Sequence, residues 1–191
     1  IVIPDAVTSI GNDAFYDCDN LSSLTIGKGV TSIGARAFAD CDSLTSIIIP
    51  DAVTSIGDGT FSGCSNLKEI TLGSSVEQIG SNFIYLCSAL ESITVAATMP
   101  PVMGELEMSV TDYRSIIVYV PVGSLSAYQS ADVWSRFWNI QEFNATGVVT
   151  PAISNEIIDS PIYNLNGERM MDKNNLPKGI YIQNGKKFII R

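Results

Sequence analysis

Four cysteines lie at one constant interval of 23 residues, a pattern that could support thiol or metal chemistry: Cys18, Cys41, Cys64 and Cys87. Thiols placed in this way could pair as disulfides, ligate a metal ion or stay reduced inside a core. Each cysteine lies beside apolar residues that recur at the same interval. We therefore predict a ladder of buried free thiols that act as small hydrophobic side chains, with paired disulfides and metal binding as the alternatives.

Acidic residues surround the first two cysteines, and consecutive repeats would bring them close together: Asp17, Asp19, Asp40 and Asp42. Clustered carboxylate oxygens suit Ca²⁺, so these four residues are a candidate calcium site. The third repeat has Gly63 and Ser65 instead, which would confine the site to the first two repeats. The favoured interpretation is that the aspartates are solvated turn residues that cap backbone N–H groups, without a metal ion or other cofactor.

Other catalytic chemistry lacks its usual residues. The chain contains no histidine, which removes Ser-His-Asp and Cys-His catalysis and the commonest zinc ligand. It has no phosphate-binding loop, dinucleotide fingerprint or zinc motif, and no paired carboxylates or nucleophile beside a base on the predicted strands. We therefore predict that the protein is not an enzyme.

The elements that would carry these residues repeat with the same 23-residue period. A fixed period of about 20–30 residues with several apolar positions is typical of a solenoid, and this predicts a β-rich repeat solenoid. Apolar rows follow the period: Val7, Val30, Val53 and Val76; Ile10, Ile33, Ile56 and Ile79; Leu21, Leu44, Leu67 and Leu90; Phe15, Phe38, Phe61 and Ile84; Leu24, Ile47, Ile70 and Ile93.

Within each repeat, the Leu24-x-Ile26 pattern predicts a strand with one buried face, and its copies should form a parallel sheet. The segments 30–34 and 37–41 would return the chain on the opposite side. A glycine follows the second inward isoleucine of every repeat, where either a positive φ or crowding by the neighbouring repeat would favour it. These glycines are Gly11, Gly34, Gly57 and Gly80.

Charged residues also occupy equivalent positions. Lys28 lies between Asp5 and Asp51 in one row, which ends at Ser74, and Asp13 faces Arg36 in another. We predict exposed ion pairs between repeats at both places; the alternative is that Lys28 and Arg36 bind a ligand.

The outward strand positions would form a flat, hydroxyl-rich surface on the concave sheet. One row comprises Val2, Thr25, Ile48, Thr71, Thr94 and Tyr119, and a second comprises Ser23, Ser46, Glu69 and Ser92. We predict that a partner binds here, with Ile48 and Tyr119 as anchors. The alternative is that these residue types merely suit exposed strands. The predicted partner-binding residues are Thr25, Ile48, Glu69, Thr71, Thr94 and Tyr119.

The repeat Leu-x-x-Leu-x-Ile-Pro-x-x-Val-x-x-Ile-Gly-x-x-Ala-Phe-x-x-Cys resembles the leucine-rich repeats of the BspA-like (Treponema pallidum) class over residues 1–98. The usual asparagine ladder is absent, because its position holds Ala6, Gly29, Ala52 and Ser75. The resemblance implies a surface or secreted bacterial protein, with members that are adhesins for host matrix proteins. Residues 1–4 already match a repeat strand, so we expect the chain to begin inside a repeat of a longer protein.

Residues 99–144 are predicted to cap the solenoid, with residues 96–117 breaking the period. The strand pattern returns at 118–121, a helix is expected over 125–137 with Ser124 as N-cap, and a last strand covers 140–143. We expect Leu125, Tyr128, Trp134 and Phe137 to face inward. Trp134 and Trp138 would seal the core; the alternative is that, with Tyr119, they stack on a glycan.

Residues 145–191 form a separate prediction. Asn166-Gly167 and Asn184-Gly185 indicate two hairpins, which predict a small antiparallel β module after a linker near 144–154. This segment is similar to the C-terminal sorting domains of Bacteroidetes secreted proteins. The resemblance implies routing through the type IX secretion system.

The net charge of −9 is concentrated in residues 1–144, which carry 16 acidic and 5 basic side chains. Such a surface repels phosphate backbones, so we expect no nucleic-acid partner, and no apolar run is long enough for a membrane span. The prediction is a non-catalytic extracytoplasmic protein that adheres to a host extracellular protein or matrix glycoprotein. The alternatives are a structural spacer or display stalk and a glycan-binding accessory module.

Overall fold

The computed structural model describes residues 1–108, 110–143, 162–164, 169–170, 179–183 and 186–190. The chain divides into two compact units, Ile1–Pro151 and Ala152–Arg191. The first unit is a solenoid with parallel sheets, which confirms the predicted fold class. The finer division at residues 98 and 144 stays a prediction. None of the described helices is long and apolar enough to cross a membrane.

Two five-stranded parallel sheets form the first unit. The long-strand sheet runs in the order β10-β9-β7-β5-β3, and the short-strand sheet in the order β1-β2-β4-β6-β8. The long-strand sheet contains β3 (Ser46–Ile48), β5 (Glu69–Leu72), β7 (Ser92–Val95), β9 (Ile117–Pro121) and β10 (Asn139–Phe143). The short-strand sheet contains β1 (Ser9–Ile10), β2 (Ser32–Ile33), β4 (Ser55–Ile56), β6 (Gln78–Ile79) and β8 (Val102–Met103).

The long-strand sheet continues the predicted strands, whereas the short-strand sheet arises where only a returning segment was expected. Successive strands pair in the register of the repeat, as in Ile47 with Ile70 and Ile33 with Ile56. The inward isoleucines consequently stack in rows inside the unit. Burial of each such side chain contributes about 1.5–3 kcal/mol before chain entropy is subtracted.

The prediction that residues 96–117 leave the stack is wrong in part. Strand β8 lies inside this range and pairs with β6, matching Gln78 to Val102. The two prolines at 100 and 101 precede the strand, so the Val102 N–H is free to donate to the Glu77 carbonyl at 2.8 Å. The 23-residue step lengthens here, and this hid the continuation.

An aromatic stack fills the middle of the first three repeats. The Phe15 and Phe38 rings lie 5.2 Å apart at an interplanar angle of 8°, and the Phe38 and Phe61 rings 5.6 Å apart at 7°. Phe38 and Phe61 are fully buried, whereas Phe15 at the end of the stack is half-buried. The rings follow the repeat because the same side chain occupies the same turn each time.

Two turns in each repeat adopt a left-handed backbone, but the predicted glycines do not supply it. Their printed alternative, crowding, holds instead: a Cβ at Gly57 would lie 2.4 Å from the Ala35 nitrogen. Aspartate and asparagine tolerate the left-handed region better than most residues, which suits several of these turn positions. The left-handed residues are Asp13, Arg36, Gly59 and Asn82 at the first turn, and Asp17, Asp40, Gly63 and Leu86 at the second.

The end of the first unit is closed by short helices. Helix α1 covers Val110–Ser115 and α2 covers Leu125–Ser130, and a 3₁₀ turn follows at Trp134–Arg136. The predicted helix over 125–137 is therefore too long, because Ala131 is extended with ψ of 141°. The Ser124 side chain makes no capping bond. The Glu142 Oε1 instead accepts hydrogen bonds from the N–H groups of Gly123 and Leu125 at 2.8 and 3.2 Å.

The aromatic residues of this segment seal the core largely as predicted. Tyr128, Trp134 and Phe137 are buried, and Leu125 is half-buried. The Tyr128 hydroxyl donates to the Ala97 carbonyl at 2.7 Å, and Trp134 Nε1 donates to the Pro101 carbonyl at 2.8 Å. Both polar groups are thus satisfied inside the protein, as buried aromatic donors require.

The second unit contains a four-stranded antiparallel sheet. Its strands are β11 (Ile162–Asn164), β12 (Arg169–Met170), β13 (Gly179–Gln183) and β14 (Lys186–Ile190), in the order β12-β11-β13-β14. The predicted pairings of β11 with β12 and of β13 with β14 are confirmed. The Asn166-Gly167 and Asn184-Gly185 turns and the linker near 144–154 lie outside the described residues.

Candidate binding surface

The outward face of the long-strand sheet brings most of the predicted partner-binding residues into one row. Ile48 pairs with Thr71, Thr71 with Thr94, and Thr94 with Tyr119. Ile48 is 68% exposed, and the other three are half-buried. Their parallel pairing fixes the spacing of the row, so its side chains are held in register without further ordering.

The row extends further than the sequence predicted. Tyr119 pairs with Gln141 on β10, which places a half-buried amide at the end of the row. The step from Tyr119 to Gln141 is 22 residues, and the step from Thr94 to Tyr119 is 25. The unequal steps hid Gln141, which the strand pattern of 139–143 would have revealed.

A second row lies beside the first. Ser46 pairs with Glu69 and Glu69 with Ser92, so Glu69 stands exposed between two hydroxyls. Next to this row, the Lys68 ammonium lies 3.7 Å from the Glu91 carboxylate. The surface therefore offers hydroxyl groups, one exposed isoleucine and few unpaired charges.

At the other end, the predicted row is divided. Val2 pairs with Thr25 in an isolated bridge, and both residues are exposed. The long-strand sheet itself ends at β3, so Thr25 is not paired with Ile48. The prediction of one uninterrupted row from Val2 to Tyr119 is wrong at this step.

The glycan alternative loses one of its three aromatic residues. Trp134 is only 1% exposed and cannot stack on a sugar from solvent. Trp138 is 65% exposed, and the Arg114 guanidinium carbon lies 4.0 Å from the centre of its ring. This cation–π contact occupies one ring face.

The cysteines form the predicted ladder of free thiols, but they are also hydrogen-bond donors. All four are free, with Cys41 and Cys64 buried and Cys18 and Cys87 half-buried. The Cys64 Sγ donates to the Phe38 carbonyl at 3.1 Å. Cys41 and Cys87 donate to Phe15 and Phe61 in the same way, at 3.2 and 3.0 Å. Each thiol thus links its repeat to the preceding one.

Burial makes these thiols unreactive. Desolvation raises the pKa of Cys41 to about 11 and that of Cys64 to about 12, because the thiolate loses contact with water. The thiolate is the nucleophile and the metal-binding form, so a raised pKa disfavours both kinds of chemistry.

We expect a variant with serine at Cys18 and Cys87 to expose this difference. At pH 8 its two remaining thiols should react with a disulfide reagent at least about tenfold more slowly in the native protein than in urea. The unfolded chain releases its thiol protons near pH 9, before the folded chain does, so stability should fall as pH rises from about 9 towards 11. Equal native and unfolded rates would contradict the buried ladder.

The acidic calcium candidates serve mainly as turn residues. Asp17 and Asp40 hold the left-handed turn positions, and Asp42 accepts the Ser65 hydroxyl at 2.6 Å. The charge of Asp40, with its hydrogen bond, raises the pKa of Tyr16. Across the part of the chain that the structure describes, no group of three His, Cys, Asp or Glu side chains could hold a metal ion.

Only one of the two predicted ion-pair rows forms. Arg36 lies 2.8 Å from Asp13, which confirms that pair, but both side chains are exposed and the pair contributes only about 0–1 kcal/mol. The prediction for Lys28 is wrong: Asp5 accepts the Lys28 backbone N–H at 2.8 Å, and Asp51 accepts that of Ser74 at 2.8 Å. No ion pair among the described residues includes the Lys28 ammonium.

Comparisons with known proteins address the repeat region. Residues 1–103 match the family described as "BspA type Leucine rich repeat region", in six copies. A solved structure of a leucine-rich repeat protein from Bacteroides ovatus is 33% identical to this chain, with a TM-score of 0.45. That alignment covers 46% of this chain and 23% of the Bacteroides ovatus chain, so this chain spans less than a quarter of its length. No curated protein matches.

Proposed function

Because the chain belongs to the BspA-type leucine-rich repeat family, we propose that it is a non-catalytic protein that binds a host extracellular protein or matrix glycoprotein. Leucine-rich repeat proteins typically serve as non-enzymatic binding scaffolds, and BspA-type members are generally surface or secreted proteins. A role in adhesion and an extracytoplasmic location are the finer parts of this proposal.

The observation that supports the proposal most is the outward row of the long-strand sheet. Ile48 exposes an apolar side chain beside the hydroxyls of Thr71 and Thr94. An apolar anchor surrounded by adaptable hydrogen-bonding groups suits a protein surface. Since the backbone beneath the row is fixed by strand pairing, a partner would bind without a large loss of conformational entropy.

The charge of the solenoid narrows the class of partner. With 16 acidic and 5 basic residues over 1–144, a basic or neutral protein surface is favoured electrostatically and a nucleic acid is disfavoured. Binding to a basic partner should therefore associate faster at low salt.

We expect a lysine at position 48 or 71 to abolish this binding. The test is biolayer interferometry of the whole chain against matrix proteins, mucins and glycans at two salt concentrations. Ile48→Lys and Thr71→Lys should each raise the dissociation constant at least about tenfold, as loss of a central interface residue does. Gln78→Lys is the matched control, because Gln78 is exposed on the short-strand sheet.

Other outcomes favour the other functions. No binding across the panel would favour a structural spacer, for which the repeated stack alone suffices. Glycan binding that survives both lysine variants and is lost in Trp138→Ala would favour a glycan-binding module centred on the exposed Trp138 and Arg114 pair. A role of the second unit in secretion sorting stays part of the proposal and needs its own deletion test.

A further inference from the structure

The stack is open on one side between its second and third repeats. Within the described residues, no backbone hydrogen bond joins 24–26 to β3. Equivalent bonds exist on either side, from the Ile3 N–H to Thr25 and from the Ile49 N–H to Thr71, each at 2.8 Å. The interruption leaves four backbone groups without their expected partners: the Leu24 carbonyl, the Ile26 N–H, and the Ile48 N–H and carbonyl.

The short-strand sheet is continuous across the same two repeats. There the Thr54 N–H donates to Thr31 and the Gly57 N–H to Ile33, both at 2.9 Å. The opening is therefore confined to the long-strand sheet, on the face that the proposed function uses.

Alternation of proline and glycine explains the opening. Where glycine follows proline in the stack, the repeats approach closely: a Cβ would lie 2.4 Å from the Pro4 carbonyl at Gly27, and 2.5 Å from the Pro50 carbonyl at Gly73. At the step from Gly27 to Pro50 the order is reversed. Pro50 has a ring where close approach requires glycine, and it lacks the N–H that would donate to the preceding repeat.

The opening forms a groove of about 660 Å³. Its lining combines both unpaired strand edges with apolar side chains, among them Ile48, Leu72 and Ala96. Lys28 also lines the groove, and it is exposed and forms no ion pair within the described residues. Asp51 on the same lining is already hydrogen-bonded to Ser74.

We propose that this groove binds an extended peptide segment of the partner, with an Asp or Glu side chain of the segment against Lys28. An extended peptide presents N–H and C=O groups in alternation, which is what the unpaired edges at Ile26 and Ile48 lack. The unpaired ammonium of Lys28 makes an acidic residue the complementary side chain. This inference rests on the proposed function and names the kind of segment that the binding face recognises.

Phage-displayed octapeptides test the ligand. In three pools, Thr alternates with Ile, Val or Leu and the last position is Glu, Gln or Lys. We expect the chain to retain the Glu pool about fivefold over the Lys pool, the size of one exposed ion pair. Lys28→Gln should remove this preference and Lys28→Glu should reverse it. Lys68→Glu, a charge reversal outside the groove lining, should keep it.

Amide hydrogen exchange tests the opening independently of any ligand. In the free chain, the Ile48 amide should exchange at least about tenfold faster than the Ile49 amide, which is bonded to Thr71. Addition of the retained Glu peptides should slow Ile48. An Ile48 amide as protected as Ile49 in the free chain would overturn the groove, as would retention of no pool or a preference unchanged in Lys28→Gln.

These outcomes separate the inference from the proposed function. If the groove fails while a matrix protein still binds and Thr71→Lys abolishes that binding, the flat row is the recognition surface. If the octapeptides bind while every matrix protein fails, the groove stands and adhesion to host matrix is wrong.

Discussion

Replacement of Phe38 by alanine is expected to lower the free energy of unfolding by about 3–5 kcal/mol. The Phe38 ring is fully buried and lies between two other rings, 5.2 Å from Phe15 and 5.6 Å from Phe61. Alanine would remove the contacts of both ring faces and leave a cavity that the neighbouring repeats cannot fill without breaking their strand pairing. Urea unfolding followed by circular dichroism measures the change.

Phe15→Ala is the matched control for this prediction. Phe15 belongs to the same row but is half-buried and stacks on only one ring, so its loss should destabilise the protein by less than half as much. Equal losses at the two positions would show that the rings do not form one continuous stack. Separate transitions in Phe38→Ala would indicate that the repeats unfold independently, contrary to a cooperative stack.

The order of these rows could be predicted from the sequence because every repeat repeats its packing. A side chain that recurs each 23 residues meets its own copy in the next turn, so Phe38 contacts Phe15 and Phe61 and Ile47 pairs with Ile70. Periodicity thus carries three-dimensional contacts directly. The same argument placed Ile48, Thr71 and Thr94 together on one face.

The short-strand sheet could not be predicted, since its strands contain too few residues to show an alternating pattern. Each is a pair such as Ser32–Ile33, in which one side chain is inward. The sheet is held by main-chain bonds such as that from Gly57 to Ile33, and backbone bonding leaves no trace in the order of side-chain types. Strand β8 was missed for a related reason, because Gln78 pairs with a residue 24 positions later.

Charged side chains were the least predictable part of the site. Equivalent positions in adjacent repeats suggested that Asp5 and Asp51 would pair with Lys28, but both carboxylates accept backbone N–H groups of the following repeat. A short aspartate side chain reaches the backbone of the next turn with little loss of entropy, whereas a long lysine must be ordered to form an exposed pair. This choice leaves the Lys28 ammonium available in the groove.

Glycines raise the same problem in a different form, because one residue type serves two purposes. The sequence left open whether Gly34, Gly57 and Gly80 provide a positive φ or a close approach. In the structure they permit close approach, and the left-handed turns fall mostly on other residues, among them Asp13 and Asn82. Only the backbone of the adjacent repeat distinguishes the two purposes, and a single repeat does not contain it.

Gly57→Ala is therefore expected to destabilise the protein by about 1–3 kcal/mol, a cost typical of overpacking. Its Cβ would lie 2.4 Å from the Ala35 nitrogen and 2.6 Å from the Gly34 carbonyl carbon, so backbone atoms would have to move. Gly80→Ala should behave alike, with its Cβ 2.4 Å from the Asp58 nitrogen. The midpoint of urea unfolding measures each change.

Gly11→Ala makes this prediction sharp, because Gly11 holds the same position in the first repeat and a Cβ there would meet nothing within 4 Å. It should change stability by no more than about 0.5 kcal/mol, and a small gain is expected since alanine restricts the unfolded chain. Equal destabilisation at positions 11 and 57 would mean that these glycines are required by the conformation of their own turn. A large loss at position 57 alone would establish that the distance between stacked repeats selects glycine, which is the same distance that Pro50 widens at the groove.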